Sequence, residues 1–317
     1  MNKNSHIFIA GHNGLVGSAV YRNLLKKGYK NIYVISKNKL DLKNSEKVFN
    51  YLKKKKIEYL VICAALAGGI LANIRYPVEF FNENIMIQNS LLNAALKLKL
   101  KRTIFLGTSC IYPHKIKTPI KESKLLTGKL HPSNEAYAIA KIGGIKLCES
   151  LYNEYNLDVV ALMPTNVYGI NDKYSESNSH VIPGLIMKFL KAKKEDKKEI
   201  YIWGNGKPKR EFIFSDDLAE AIYVVLKASK NNLFDISDRK FPIINVGTGE
   251  IYSIKHLAKI IMQKIKYNGK VFFNKNYPNG VMKKDLDLTR IKKLNWVPKY
   301  NLDNGLDLVL KELTIQI

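Results

Sequence analysis

The sequence predicts an α/β fold: a doubly wound parallel sheet followed by a smaller C-terminal region. Short apolar runs alternate with longer amphipathic stretches through the first half of the chain, which is typical of parallel strands joined by helices. A glycine-rich turn follows the first apolar run and opens the first amphipathic stretch. After Pro164 the alternation loosens, and Gly, Asn, Ser and Pro separate shorter elements. These observations place the sheet mainly in the first half of the chain.

Five apolar runs predict the strands of this sheet. Each has five or six residues, the usual length of a buried strand. They occupy residues 6–10, 31–35, 59–63, 103–107 and 158–163. Residues 245–249 (NVGTG) look like the end of a further strand, so we expect the chain to return to the sheet before it finishes.

Between the strands, amphipathic stretches predict helices at about 14–27, 44–56, 78–99 and 133–155. The first helix opens from a turn that contains Gly11, Gly14 and Gly17. Glycines between a strand and a helix permit a tight turn and let backbone amides approach a pyrophosphate, whose charge is favoured at a helix N-terminus. The motif therefore predicts that a dinucleotide binds at this turn.

The glycine turn and the alternating pattern together predict two regions of different function. Residues 1–170 are expected to form a dinucleotide-binding domain of the Rossmann type, with returning segments near 212–250. Residues 171–317 are expected to form mainly a substrate-binding region.

The residues after the second predicted strand indicate which dinucleotide binds. An acidic residue there would bond the ribose hydroxyls of NAD, whereas a basic residue accommodates the extra phosphate of NADP. The chain has Ser36 and Lys37 at this position and no carboxylate until Asp41. We therefore expect NADPH or NADP as the cofactor.

Composition is that of a globular protein without a metal or disulfide framework. Of the 317 residues, 46% are apolar and 25% are charged. The three cysteines, Cys63, Cys110 and Cys148, lack metal-type spacing, so we expect free thiols and no metal site. No apolar run is long enough to span a bilayer, and the N-terminus does not resemble a signal peptide. We expect a cytoplasmic protein with no membrane partner.

The net charge of +25 first suggests a nucleic-acid partner. However, the lysines are scattered through every segment, and denser runs at 53–56 and 188–198 fall at predicted helix ends or on solvated faces. No arginine-rich, zinc-finger or aromatic RNA-binding signature accompanies them. We therefore expect no nucleic-acid partner, and a positive field would serve a polyanionic small substrate equally well.

Tyr137 and Lys141 are four residues apart in a predicted helix, so they share one face. A positive charge near a phenol stabilises the phenolate, so we expect Lys141 to lower the pKa of Tyr137. Thr108 and Ser109 follow the fourth predicted strand, at the edge where open sheets bind ligands. Their hydroxyls would hold a substrate carbonyl against the Tyr137 phenol, which predicts a catalytic set of Thr108, Tyr137 and Lys141.

Cys110 and His180 form a second candidate pair, an acid and a base. A lone Cys is most often buried and inert, and a lone His most often makes a structural hydrogen bond. Hydrogens on carbons next to a ketone are acidic when the enolate oxygen is stabilised, and Tyr137 and Thr108 would provide that stabilisation. The pair would then move protons at those carbons.

Over almost its whole length the chain resembles the GDP-L-fucose synthase family of the extended short-chain dehydrogenase/reductase superfamily. These are bifunctional 3,5-epimerases and 4-reductases of GDP-4-keto-6-deoxymannose. The matching segments are residues 8–19, 106–113, 133–141, 145–150, 163–169, 177–183 and 203–212. The resemblance implies a GDP-linked 4-keto sugar as substrate and a homodimer, which we expect to form through the helices near 78–99 and 133–155.

The resemblance also implies a role for each candidate residue. Cys110 and His180 would move protons at carbons 3 and 5, and Tyr137 would protonate the oxygen of carbon 4 after hydride transfer. Lys141 would bind the nicotinamide ribose, and Thr108 would bond the carbonyl. The implied substrate contacts are Ser109, Asn166, Lys188, Trp203, Arg210 and Asn279. The implied cofactor contacts are Gly11, Asn13, Gly14, Leu15, Val16, Gly17, Ser36, Lys37, Asp41, Leu42, Ala64, Ala65, Leu106, Gly107, Lys141, Pro164, Thr165, Asn166, Val167 and His180.

Several positions depart from the family pattern. Thr108 replaces the usual Ser and keeps the hydroxyl, whereas Asn13 and Lys37 stand where an arginine is common. Lys188 replaces an Arg, and Asn279 replaces an acidic residue, so the substrate side differs.

Four alternatives to the fucose-type reaction remain open. A GDP-4-keto-heptose fits the same chemistry, and the enzyme could reduce it without epimerisation. A nucleotide-sugar 4-epimerase or dehydratase with bound NAD would need an acidic residue after the second strand or an Asp-Glu pair after Thr108. A dinucleotide-binding sensor would have lost Tyr137 or Lys141.

Overall fold

The computed structural model describes residues 1–174, 179–276 and 281–316. Within these ranges the chain forms twelve strands and eleven α-helices. The strands are β1 (Ile7–Ala10), β2 (Ile32–Tyr33), β3 (Tyr59–Ile62), β4 (Arg102–Leu106), β5 (Val159–Pro164), β6 (Asn166–Tyr168), β7 (Glu199–Trp203), β8 (Lys209–Phe214), β9 (Ile243–Val246), β10 (Ile251–Ser253), β11 (Lys270–Asn274) and β12 (Lys283–Lys284). The helices are α1 (Leu15–Lys26), α2 (Ser45–Lys54), α3 (Ile70–Arg75), α4 (Pro77–Lys97), α5 (Glu135–Tyr155), α6 (Val181–Lys194), α7 (Ser215–Lys227), α8 (Lys230–Ile236), α9 (Ile254–Ile265), α10 (Thr289–Lys292) and α11 (Leu302–Gln316).

The central sheet has six strands in the order β2-β1-β3-β4-β5-β9, and all neighbouring pairs are parallel. Every residue of β1, β3, β4 and β5 is buried, because helices cover both faces of the sheet. The prediction of a doubly wound parallel α/β fold is confirmed. The order reverses at β1, which opens a crevice at the carboxyl ends of β1 and β3.

The elements predicted from sequence periodicity are all present. The five predicted strands correspond to β1 to β5, although the second is shortened to Ile32–Tyr33. The four predicted helices correspond to α1, α2, α4 and α5, with ends that differ by at most two residues. The predicted return of the chain to the sheet is also confirmed, since β9 pairs with β5.

A second hydrophobic core lies among the elements that follow β5. Its largest fully buried side chains are Tyr168, Phe189 and Phe214. Around it, β10, β8 and β12 form a small sheet to which β6 adds on β8, and β11 pairs with β7. The predicted division at residue 170 stays a prediction. The first core includes Ile244, which lies in the expected returning segment near 212–250, and also Trp296 from the C-terminal part.

Close packing between α4 and α5 positions the helix that carries Tyr137 and Lys141. Gln88 Nε2 on α4 donates a hydrogen bond to the Ala140 carbonyl at 2.7 Å. A Cβ at Gly144 would lie 2.5 Å from Gln88 Oε1 and 2.5 Å from the ring of Phe105, which belongs to β4. Glycine therefore lets α5 lie directly against both α4 and the sheet.

Within the described ranges, every helix is too short or too polar to cross a membrane.

Candidate active site

A cavity of about 920 Å³ opens at the carboxyl edge of the central sheet and continues between the two cores. It is lined by residues from both halves of the chain, including the turn after β1, the segment after β4, α5 and β8. Every predicted site residue in the described part of the chain lines this cavity, apart from Ser36. Asn279 and residues 177–178 of the matching segment lie outside the described residues. Within the described ranges, no group of His, Cys, Asp and Glu could hold a metal ion.

The glycine turn forms one end of the cavity and has no room for side chains. Gly11 has a φ of +89°, and a Cβ there would lie 2.7 Å from the backbone of Ala64. A Cβ at Gly17 would lie 2.1 Å from the Gly11 carbonyl oxygen. Gly14 is the N-cap residue of α1, and the first turn of this helix contains no acidic residue. This bare helix N-terminus fits the pyrophosphate of a dinucleotide.

Lys37 is exposed and lines the cavity next to Asp41 and Leu42. The Asp41 carboxylate lies 3.8 Å from the Lys43 ammonium, which also pairs with Glu83 at 2.5 Å. Ser36, a predicted cofactor contact, is not among the residues that line the cavity. Instead, its carbonyl accepts hydrogen bonds from the amides of Lys39 and Leu40, both at 3.0 Å, and so closes a turn. The contact of Lys37 with a 2′-phosphate stays a prediction, and its exposed side chain lines this end of the cavity.

Tyr137 and Thr108 meet at the centre of the cavity. The Tyr137 phenol is hydrogen-bonded to the Thr108 side chain, and its ring packs edge-on against Phe80 with 6.1 Å between the centroids. The Thr108 Oγ1 also accepts a hydrogen bond from the Cys110 amide at 3.2 Å. Burial and the neighbouring Cys110 raise the pKa of Tyr137, and the Thr108 hydrogen bond only partly offsets the rise. The phenol is therefore protonated at neutral pH and suited to donate a proton.

Lys141 lies on the same face of α5 but inside the protein. Its side chain is 3% exposed, and its ammonium lies 4.7 Å from the centroid of the Phe105 ring. Burial lowers the pKa of Lys141 to about 8, although the nearby thiols of Cys148 and Cys63 act in the opposite direction. The expectation that Lys141 lowers the pKa of Tyr137 is wrong for this structure. Burial raises the pKa of the phenol, and the charge of Lys141 acts mainly on the two thiols.

Cys110 sits in a short 3₁₀ turn, Ser109–Ile111, directly after the Thr108 cap. Burial acts to raise the pKa of its thiol, but the charge of Lys284 and hydrogen bonds with Thr108, Lys284 and Asn134 outweigh that effect, so the pKa is lowered. The thiolate is therefore more populated than in a free cysteine.

His180 is the N-cap residue of α6 and lines the same cavity as Cys110. His180 is solvent-exposed, and it lines the cavity. Desolvation lowers the pKa of its imidazole ring, and the charge of Lys173 lowers it further. A neutral imidazole at physiological pH can accept a proton or, once protonated, return it. The structure thus brings both members of the predicted acid–base pair to one cavity.

The far end of the cavity carries positive charge. Lys188 Nζ donates to the Tyr201 carbonyl at 2.6 Å and lies 5.7 Å from the Trp203 ring. Arg210 Nη1 donates to the Lys209 carbonyl at 2.9 Å and also to the Val281 carbonyl. Asn166 is engaged by the backbone, since its Nδ2 donates to the Glu211 carbonyl at 2.8 Å. Cations arranged this way fit the diphosphate of a nucleotide sugar.

Two residues that contact Cys110, Lys284 and Asn134, were not predicted from the sequence. Lys284 enters the site only because β12 pairs with β8, in the register that sets Lys284 beside Arg210. The local sequence around Lys284 has no glycine turn, periodicity or motif that signals a site. Asn134 did carry a signal, because it belongs to the matching segment 133–141 that contains Tyr137.

Comparisons with known proteins agree with this geometry. The model of the NAD dependent epimerase/dehydratase family matches residues 7–247. The GDP-L-fucose synthase of Escherichia coli strain K12 is 41% identical over 300 residues, which are 95% of this chain and 94% of that protein.

Solved structures are similar over the full length of the chain. The GDP-6-OMe-4-keto-L-xylo-heptose reductase from C. jejuni superimposes with a TM-score of 0.94 at 33% identity, covering 100% of this chain and 99% of that one. MlghC, a GDP-mannoheptose C4 reductase from Campylobacter jejuni solved with NADP bound, has a TM-score of 0.88 at 34% identity and covers 99% of both chains.

The buried ammonium of Lys141 predicts a pH-dependent stability. Because folding lowers its pKa from 10.5 to about 8, the unfolded chain binds more protons between these pH values. The free energy of unfolding contributed by Lys141 therefore rises by about 3 kcal/mol across this window. In urea unfolding, the free energy of unfolding of the wild type, measured relative to K141M, should increase by that amount between pH 8 and pH 10.5.

The matched control for this measurement is K146M, which replaces an exposed lysine of the same helix. The difference between the wild type and K146M should stay constant with pH. A constant difference between the wild type and K141M would contradict the assignment.

Proposed function

The chain belongs to the NAD dependent epimerase/dehydratase family, and we propose that it is an NADPH-dependent enzyme that reduces the 4-keto group of a GDP-linked sugar. One observation carries the proposal: the protonated Tyr137 phenol and the Thr108 hydroxyl meet inside a cavity that joins the glycine turn to a cluster of cations. The GDP-L-fucose synthase and GDP-heptose reductases described above support the same reaction class.

The residues that would hold the cofactor fit its parts. The turn at Gly11 and Gly17 would receive the pyrophosphate, because both positions exclude a side chain and Gly14 begins α1. Lys37 pairs with the 2′-phosphate, and Lys141 donates to the nicotinamide ribose. The bound cofactor supplies the hydride for carbon 4.

Tyr137 acts as the proton donor of the reduction. The substrate carbonyl oxygen accepts hydrogen bonds from the Tyr137 and Thr108 hydroxyls, which polarise the carbonyl. When carbon 4 is reduced, its oxygen becomes an alkoxide and takes the phenol proton. The Thr108 hydroxyl, whose hydrogen bond acts to lower the pKa of Tyr137, stabilises the phenolate that remains.

The substrate diphosphate lies against the cations at the far end of the cavity. Arg210 and Lys188 supply the charge, and Trp203 supplies an aromatic face with 41% of its surface exposed. Asn166 and Ser109 line the same cavity, and the sugar would bind against them. The role of Asn279 stays a prediction, since this residue lies outside the described ranges.

Epimerisation at the carbons next to the ketone is a proposed second activity of the same site. Cys110 and His180 line the cavity beside Tyr137, and the lowered pKa of the Cys110 thiol suits proton removal. A second candidate is reduction of a GDP-4-keto-heptose without epimerisation, which the TM-score of 0.94 to the C. jejuni heptose reductase favours.

Two other readings fit the residues less well. A 4-epimerase or dehydratase that retains NAD would need a carboxylate at Lys37 or an Asp-Glu pair in place of Ser109 and Cys110. A sensor without chemistry would not need Tyr137 and Lys141 in one cavity. A cytoplasmic location and the lack of nucleic-acid and membrane partners stay predictions from the sequence.

We also propose a homodimer built on α4 and α5. Large apolar side chains point outward from these two helices: Val78 is 68% exposed, Phe81 37%, Met86 48% and Ile139 45%. The two helices that carry these residues pack side by side. A second copy of these helices would cover the apolar side chains and form a four-helix bundle.

The role of Tyr137 can be tested by removing its hydroxyl group. In Y137F, turnover of NADPH with GDP-4-keto-hexoses or GDP-4-keto-heptoses should fall by about a hundredfold or more, because the general acid is lost. NADPH binding, followed by fluorescence, should persist. The control is Y155F, which makes the same change at an exposed tyrosine of α5. Equal turnover in Y137F and Y155F with the sugar that the wild type reduces best would contradict the role.

Epimerisation predicts solvent exchange without reduction. In deuterated water without NADPH, the wild type should place deuterium at carbon 3 or 5 of the keto sugar, and C110S should lose this exchange by about a hundredfold. C63S is the control, because burial raises the pKa of the Cys63 thiol, in the same cavity, to about 12. Absence of deuterium in the wild type, together with active reduction, would establish the reduction-only alternative instead.

The proposed dimer surface can be tested with a single charge. M86D should convert the dimer to a monomer in sedimentation velocity, because a carboxylate would be buried in the apolar contact. L25D is the control, since Leu25 is 49% exposed on α1 and away from that surface. A wild type that sediments as a monomer, or an M86D variant that still dimerises, would contradict the proposed surface.

A further inference from the structure

Lys284 is a half-buried cation of the cavity, and it interacts there with the Cys110 thiol and with the charge of Arg210. It lines the cavity on β12, and its ammonium is hydrogen-bonded to the Cys110 thiol. Within residues 1–174, 179–276 and 281–316, no carboxylate forms a salt bridge with it. Its sequence neighbour Lys283 differs, because that ammonium lies 3.4 Å from the Asp285 carboxylate. Burial disfavours the charge of Lys284, so a compensating negative partner is needed.

The backbone around Lys284 is held on both sides. On one side β12 pairs with β8, and the Leu286 amide donates to the buried Glu211 carboxylate at 3.0 Å. On the other side, the Ile120 amide donates to the Asp285 carbonyl at 3.0 Å, and the Asp287 amide donates to the Ile120 carbonyl at 2.9 Å. These bonds fix the backbone on both sides of Lys284, so its side chain is anchored at the cavity that Cys110 also lines.

Among the groups around Cys110, Lys284 is the cation that contacts its thiol. Thr108 and Asn134 are neutral and hydrogen-bond to the thiol. Tyr137 on α5 is protonated, and Arg210 on β8 interacts with the thiol through its charge without a hydrogen bond to it. His131, before α5, has a pKa lowered by burial, by His114 and by the charges of Lys284 and Arg210, so it adds no cation at neutral pH.

We propose that Lys284 is the counter-ion of a Cys110 thiolate and holds Cys110 ready to act as a base at a carbon next to the substrate ketone. The inference rests on the proposed function. In this step the thiolate takes the C–H proton and becomes a thiol. The C–H electron pair forms the carbon–carbon double bond of the enolate, and the former carbonyl electrons move to its oxygen, which Tyr137 and Thr108 hold by hydrogen bonds. Lys284 is a positioning residue, because it acts through Cys110.

A competing role for Lys284 is to bind the substrate diphosphate together with Arg210. That role would weaken substrate binding in a Lys284 variant and leave the thiol unchanged. A counter-ion role changes the thiol even when no substrate is present. The reactivity of Cys110 in the free protein therefore separates the two roles.

The test follows alkylation of Cys110 by iodoacetamide across pH in the full chain, without substrate or cofactor, with peptide mass spectrometry as the readout. Because the thiolate is the reactive form, the midpoint of the rate profile reports the thiol pKa. The wild-type midpoint should lie below about 8.5, the value of an ordinary cysteine. In K284M it should rise by about one unit or more, which slows alkylation at neutral pH about tenfold. K284R should restore the wild-type profile, and K283M should leave it unchanged.

Two results would overturn the inference. A wild-type midpoint at or above that of an ordinary cysteine would do so without any variant, which covers the case in which K284M fails to fold. A K284M profile that superimposes on the wild type would do so as well, and weaker substrate binding in the same variant would then assign Lys284 to the diphosphate. Neither result depends on turnover, so failure of the proposed reduction would appear separately in the assay with GDP-4-keto sugars.

Discussion

The parallel alignment of the central strands is the constraint on which the site depends. Because β1, β3, β4 and β5 run in the same direction, their carboxyl ends meet at one edge. The glycine turn follows β1, and Thr108 follows β4, so both open into the same crevice. The strands are buried on both faces, so a shift of register would disrupt the close packing against the helices on each side. The rigid sheet therefore sets the distance between the cofactor end and the reacting end of the cavity.

Burial gives three neighbouring groups different protonation states. It raises the pKa of Tyr137, which keeps the phenol as an acid, and lowers the pKa of Lys141 to about 8. At Cys110 a cation and hydrogen bonds reverse the effect of burial. The difference arises from the partner of each group: Tyr137 has a neutral hydroxyl, Lys141 has an aromatic face, and Cys110 has the Lys284 ammonium. An acid and a candidate base can thus coexist in one cavity at one pH.

The second core completes the site through pairings between distant segments. β6 follows directly on β5 of the central sheet and pairs with β8, the strand that carries Arg210, and both Arg210 and Thr108 line the cavity. β12 then pairs with β8, and the buried Glu211 carboxylate links the two strands through the amides of Gly249 and Leu286. The cations proposed to face a nucleotide sugar therefore come from segments that lie far apart in the chain.

The sequence alone determined the order of elements in the Rossmann part and the glycine turn. It also predicted that Lys37 selects NADP and that Thr108, Tyr137 and Lys141 form a catalytic set. These features are encoded in short stretches, where periodicity and residue spacing act locally. Tertiary structure decided that Ser36 closes a turn and does not line the cavity. It also decided that burial, and not Lys141, sets the direction in which the pKa of Tyr137 shifts, and that Lys284 contacts Cys110. The physical reason is the same in each case. Burial and strand pairing join residues far apart in the chain, so their electrostatic effects depend on the whole fold and cannot be read from local spacing.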